Sequence, residues 1–137
     1  YHTVSLPQKS YNGVAIISKQ PAQVVLNHLE DEQARYLEAD IGSLRVINIY
    51  LPNGNPWPGP KFDYKLAWME RLHARLKNLR AQNVPFVIGG DFNVIPQAGD
   101  CYDPRVWEND ALYRIETRQM FRKLLNLGLT DGFRIFN

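Results

Sequence analysis

Apolar residues recur along the chain first at every second position in short runs, then at every third or fourth in longer ones. That order predicts strands early and helices later. Val14-Ala15-Ile16-Ile17-Ser18 follows the turn signal Tyr11-Asn12-Gly13 and reads as a buried strand. Tyr1 to Lys9, ahead of it, is polar and reads as irregular. Gln23 to Leu26 is short and β-rich, and His28 to Gln33 is an acidic, solvated loop. From Arg35 to Ile41 the pattern alternates, which puts Leu37, Ala39 and Ile41 on one face beside Arg35. Asp40-Ile41-Gly42-Ser43 then turns into Leu44-Arg45-Val46-Ile47-Asn48-Ile49-Tyr50, so the two runs predict an antiparallel hairpin. Tyr50 ends that strand on the face of Val46 and Asn48.

Leu51 to Pro60 is too rich in Pro and Gly for helix or central strand and reads as a rigid loop. Asp63 is an N-cap candidate for the helix that follows. Leu66, Met69, Leu72, Leu76 and Leu79 form its core-facing stripe, and Asn83 and Pro85 end it. Pro85-Phe86-Val87-Ile88-Gly89-Gly90-Asp91-Phe92-Asn93-Val94-Ile95-Pro96 reads as a buried strand stopped by two glycines. Gln97 to Tyr113 is loop-like. A second helix is expected from about Glu116 to Leu127, with Phe121, Leu124 and Leu125 inward and Gly128 as its stop, and Leu129 to Phe136 begins a further strand. The order is mixed α/β, a largely antiparallel sheet with helices packed on it.

Composition narrows the class. A chain of 137 residues with 45% hydrophobic residues builds one globular domain and is neither disordered nor fibrous. A formal charge of +2 is too small to announce a polyanion partner by itself. The single cysteine, Cys101, excludes an internal disulfide and a multi-cysteine zinc site and fits a reducing compartment. No apolar run approaches the roughly 18 residues of a membrane-spanning helix, and no secretory signal pattern opens the chain. The chain begins at Tyr1 and stops at Asn137 within an expected strand, so both ends read as cut.

Candidate chemistry concentrates after the two glycines. If extended geometry persists past them, Asp91 and Asn93 share a face, and Gly89 and Gly90 let backbone or ligand approach closely. An acid and an amide aimed together suit a metal-assisted phosphoester site. An Asp behind a Gly-Gly turn is equally often a turn residue. Tyr50 alone reads as a half-buried β-aromatic, and Asn48 as an amide that needs partners. Arg35 is either a snorkelling edge arginine or a phosphate clamp. Lys61 is either solvated or a phosphate contact. His2, His28 and His73 have no ligand spacing, and Cys101 has no adjacent activating base.

Several segments occur together in order: Tyr11-Asn12-Gly13-Val14-Ala15-Ile16, Val46-Ile47-Asn48-Ile49-Tyr50-Leu51-Pro52-Asn53-Gly54, Lys61-Phe62, Gly89 to Pro96, and Leu127-Gly128-Leu129-Thr130-Asp131-Gly132-Phe133-Arg134. This set resembles the exonuclease III family of bacterial apurinic/apyrimidinic endonucleases, within the endonuclease/exonuclease/phosphatase superfamily. Gly-Asp-Phe-Asn is shared by the wider superfamily; Tyr-Leu-Pro-Asn-Gly followed by Lys-Phe is more specific to exonuclease III.

The resemblance implies a DNase I-like four-layer α/β sandwich of two mostly antiparallel sheets flanked by helices, with residues 1–137 as the central part of a single, incomplete domain. It implies an exodeoxyribonuclease III, a 3′-5′ exonuclease and abasic-site endonuclease of base-excision repair. It implies roles as well. Asp91 orients or deprotonates the attacking water and is a metal ligand, Asn93 hydrogen-bonds the scissile phosphate, and Tyr50 lies near it. Arg35 and Lys61 meet the DNA backbone. The implied cofactor is Mg2+, with Mn2+ as substitute. The implied partner is double-stranded DNA with abasic sites or 3′ ends, bound without a membrane by a monomer in the bacterial cytoplasm.

One departure qualifies these expectations. Family members carry a metal-binding glutamate upstream and an Asp-His pair downstream, and neither region occurs here. Residues 1–137 alone are therefore expected to be inactive and poorly stable. Two rivals remain: a superfamily phosphatase acting on inositol phosphates or phospholipids, and a non-catalytic DNA-binding module.

Overall fold

The computed structural model describes residues 1–137 in two compact units. One comprises Tyr1–Pro52 with Leu79–Asn93, the other Asn53–Asn78 with Val94–Asn137.

In the first unit, β1 (His2–Leu6) and β2 (Val14–Ser18) form a two-stranded antiparallel sheet with His2 opposite Ser18 and Leu6 opposite Val14. The expectation of an irregular start fails. Val4 and Leu6 lie two apart and pack on the core, while the polar residues between and before them are exposed. A strand of five residues with only two inward apolar positions leaves little period to detect.

The second sheet has the order β3 (Ala22–Leu26), β4 (Tyr36–Ile41), β5 (Leu44–Tyr50), β6 (Phe86–Asp91). The β4–β5 hairpin forms as the pattern predicts, with Gly42 at φ 60 in its turn. β5 and β6 run parallel. Val14 and Ile16 of β2 pack with Leu37 and Ala39 of β4, and Ile41, Val46 and Tyr50 join them. Asn48 finds the partner its amide needs: Nδ2 donates to the Ala15 carbonyl at 2.8 Å and ties the two sheets.

β4 is buried on its other face too, where Glu38 is fully enclosed. Its carboxylate accepts from the Tyr36 hydroxyl and from Arg45 Nη1, each at 2.6 Å. A buried acid is tolerated when paired and hydrogen-bonded in this way. Arg45 also donates to Asp40 from Nε and Nη2, and this hydrogen bonding holds the Asp40 carboxyl below its ordinary pKa.

β6 is a correction. Its continuous apolar run predicts a strand buried on both faces, yet it is the last strand of its sheet, and Val87 is 49% exposed.

α1 (Pro60–Ala81), which belongs to the second unit as far as Asn78, starts three residues before the expected Asp63 cap. Proline at the first helical position loses nothing by lacking an N–H, and Asp63 sits inside the first turn, where its charge suits the helix dipole. Met69, Leu72, Leu76 and Leu79 are buried, joined by Phe62, Lys65 and Trp68. Asn83, at φ 54, closes the helix: its N–H donates to the Arg80 carbonyl, and the Val84 N–H to that of Leu79.

Lys65 is fully buried, and Nζ donates to the Asn53 carbonyl at 3.1 Å and to that of Ala111 at 3.4 Å. The expected loop from Gln97 to Tyr113 contains two short 3-10 turns, Ala98–Asp100 and Pro104–Trp107. α2 (Ile115–Leu125) buries Thr117, Met120 and Leu124, so its inward face is rotated from the expected Phe121, Leu124 and Leu125. Gly128, at φ 91, follows it as predicted. The expected strand from Leu129 is instead the short α3 (Gly132–Phe136). The Asp131 side chain accepts the N–H groups of Phe133 and Arg134, a local cap that outcompetes extension. No helix is long and apolar enough to cross a membrane.

Candidate active site

Because β5 and β6 are parallel, their carboxyl ends emerge side by side, the position at which open α/β sheets bind ligands. Tyr50 and Asp91 are register partners there, and the Leu51 N–H donates to the Asp91 carbonyl at 2.9 Å. Gly90, at φ 126, lets the strands come this close. A Cβ on it would lie 2.1 Å from the Ile49 carbonyl oxygen and 2.8 Å from Asn48 Oδ1. Nothing lies within 4 Å of the corresponding position at Gly89. The expected close backbone approach thus holds at Gly90, and Gly89 faces open space.

Extended geometry does not persist past Asp91. Asn93 has φ 46, and Asp91 Oδ1 accepts its N–H at 2.9 Å. This Asx turn, and not strand alternation, fixes the Asn93 backbone against the Asp91 carboxylate. Asn93 Nδ2 then donates to the Leu51 carbonyl at 2.8 Å, fixing the amide to the end of β5. The Asp91 side chain stays exposed and Asn93 is half-buried.

Arg35, just before β4, reaches Tyr50. Nη1 donates to the Tyr50 carbonyl at 3.1 Å and the guanidinium lies 4.9 Å from the ring centroid. Nε donates to Gln33 Oε1 at 2.8 Å. Gln33 is the member of this group that local sequence signals miss. It sits in a loop read as merely solvated, and its oxygen also accepts from Asn12, far away in the chain. Tyr50, Asp91, Asn93 and Arg35 therefore gather in the first unit. Lys61 lies in the second, exposed in the first turn of α1.

The gathered groups offer an exposed carboxylate as proton acceptor, an anchored amide and a phenol. They do not make a metal site by themselves. No three His, Cys, Asp or Glu side chains cluster anywhere in the chain, and one Asp91 oxygen already serves the turn. Cys101 is a free thiol whose Sγ lies 3.5 Å from the Ala98 carbonyl.

The endonuclease/exonuclease/phosphatase family model matches residues 1–136. The chain belongs to this family. It is 30% identical to an exodeoxyribonuclease of Bacillus subtilis, over 93% of this chain and 51% of the relative. It is 26% identical to a DNA-(apurinic or apyrimidinic site) endonuclease of Dictyostelium discoideum, over 100% of this chain and 39% of that one. A solved 3′-5′ exonuclease from Neisseria meningitidis is 39% identical and superposes with a TM-score of 0.91, covering 98% of this chain and 54% of that structure. An AP endonuclease from Archaeoglobus fulgidus is 33% identical with a TM-score of 0.89, covering 97% and 53%. This family member has the expected DNase I-like fold, two sheets with helices, and spans about half the length of the relatives it matches.

Proposed function

We propose that the protein carrying this chain hydrolyses DNA phosphodiesters in repair, as an exodeoxyribonuclease III with abasic-site endonuclease activity. The register pairing of Tyr50 with Asp91, and the Asn93 amide anchored beside them, carries the reading. Likeness to exodeoxyribonucleases and AP endonucleases supports it against an inositol phosphatase.

In this reading Asp91 accepts the proton of the attacking water as its oxygen bonds to phosphorus and the bond to the leaving sugar oxygen breaks. The Asn93 amide and the Tyr50 hydroxyl donate to non-bridging phosphate oxygens, where charge accumulates. Arg35 orients Tyr50 and Lys61 meets the DNA backbone. The chemistry of the donor set does not hold a divalent ion alone, so such an ion takes further ligands from outside residues 1–137. Magnesium as that ion, with Asp91 among its ligands, rests on the family resemblance. So do action as a monomer in the bacterial cytoplasm and the reading of residues 1–137 as the central part of one domain.

The test is incision of duplex DNA bearing a single abasic site by the intact protein, with magnesium and then with a chelator. Incision that Asp91→Asn lowers by about a hundredfold or more, with duplex binding kept, supports the assignment. An Asp91→Asn enzyme as active as the parent overturns it.

A further inference from the structure

The second unit contains a cavity that the proposed chemistry does not use. It measures about 220 Å³, and three arginines line it: Arg118, Arg122 and Arg134. Arg118, Phe121, Arg122 and Leu125 lie three and four apart on α2, a face distinct from the buried Thr117, Met120 and Leu124. The segment after the helix closes the cavity with Asp131 and Arg134.

Asp131, which lines the cavity, and Asp100 are both engaged by Arg134 through ion pairs. Arg118 uses Nε on the Tyr113 carbonyl at 2.9 Å and rests on the Tyr113 ring at 4.5 Å. Its two Nη groups have no partner, and the Arg122 side chain has none. Two like charges four residues apart on a helix repel each other. Here no carboxylate relieves Arg118 and Arg122. Two arginines lining one recess supply donors that match the oxygens of a phosphate, and a phosphodiester presents two free ones.

We propose that this cavity is a phosphate site that takes one phosphodiester group of the DNA strand, held by Arg118 and Arg122. It is separate from the Tyr50, Asp91 and Asn93 group and rests on the nuclease reading for the identity of its ligand. Arg134, neutralised by its two acids, fixes the wall. A contact of this kind adds affinity without reading sequence.

The test measures duplex binding by the intact protein across a salt series. Each phosphate contact adds about 0.9 to the slope of log K against log salt, so Arg122→Gln is expected to lower the slope by about that amount. Lys77→Gln, on α1 and outside the cavity, is the charge control. An unchanged slope in Arg122→Gln, or an equal fall in Lys77→Gln, overturns the proposal.

Titration with inorganic phosphate, followed by the NMR signals of the arginine Nε–H groups, tests the cavity apart from DNA. Saturable shifts that Arg122→Gln abolishes are expected. Such shifts with no change in DNA slope would assign the cavity to free phosphate and overturn the DNA assignment. No DNA binding by the parent at any salt overturns both the ligand and the nuclease reading. Intact DNA incision with an unchanged slope overturns the cavity alone.

Discussion

Arg35 grips Tyr50 from both sides of the peptide. Its Nη1 donates to the Tyr50 carbonyl, its own carbonyl accepts the Tyr50 N–H at 2.8 Å, and its guanidinium covers the ring. With Nε committed to Gln33, the arginine is built into the scaffold under the phenol. On the proposed nuclease function, Arg35→Ala in the intact protein is expected to lower kcat for DNA incision about tenfold, ~1.4 kcal/mol, while the salt slope of DNA binding stays unchanged. Arg35→Lys does not rescue it, because a point charge cannot replace the planar fork. A raised KM with a slope reduced by about 0.9 would identify a backbone clamp instead.

The adjacent glycines should behave as opposites. Gly90→Ala drives a methyl into the Ile49 carbonyl at a positive φ, so it forces β5 and β6 apart. The loss is expected to exceed about 4 kcal/mol, read as failure to recover soluble, cooperatively unfolding protein. Gly89→Ala meets nothing within 4 Å and should stay within about 1 kcal/mol of the parent. Denaturant unfolding of the two variants side by side checks the contrast.

Lys65 is a buried structural donor of the second unit. Lys65→Met keeps most of the volume but leaves the Asn53 and Ala111 carbonyls without this donor. About 1–3 kcal/mol should be lost, the range for one buried polar group deprived of its bond, because the Ala111 carbonyl keeps the Thr117 hydroxyl as donor. Recovery of full stability in Lys65→Met would show that burial alone, without the hydrogen bonds, holds the Pro-rich loop.

Asp40 makes stability depend on acid. Its folded pKa lies below the unfolded value because of its hydrogen bonds to Arg45, so its contribution is complete above about pH 4. It is lost as the pH falls through the lower folded value. Asp40→Asn should therefore be less stable than the parent near neutrality, and the two should converge below about pH 4. The Asp40 side chain is 43% exposed, so the difference is small and shrinks with salt. Thermal unfolding at several pH values checks the sign.

Much of the architecture is legible in the sequence because it follows from local periodicity. The Val14–Ser18 and Leu44–Tyr50 strands, the Gly42 hairpin and the Met69–Leu79 stripe all repeat over enough residues to declare themselves. His2–Leu6 does not, since its partner β2 supplies the order that its own pattern lacks. The turn from Leu129 into α3 is decided by one capping side chain, Asp131, against a run of apolar residues that suggests a strand. Within the candidate site, residue types point to Asp91, Asn93 and Tyr50. Their mutual geometry does not follow from spacing, because Asn93 leaves the strand. Gln33 and Lys65 are the least legible: Gln33 links Arg35 to the distant Asn12, Lys65 links Asn53 to Ala111, and a glutamine in a loop or a lysine on a helix carries no local mark.

The Asx turn at Asp91 bears on how substitutions there can be interpreted. One oxygen of this residue shapes the backbone while the other faces outward, so alanine removes a fold determinant and a chemical group at once. Asparagine keeps an acceptor oxygen for the Asn93 N–H and deletes only the charge. An alanine scan would thus overstate the chemical share of Asp91, and the isosteric amide is the variant that isolates it.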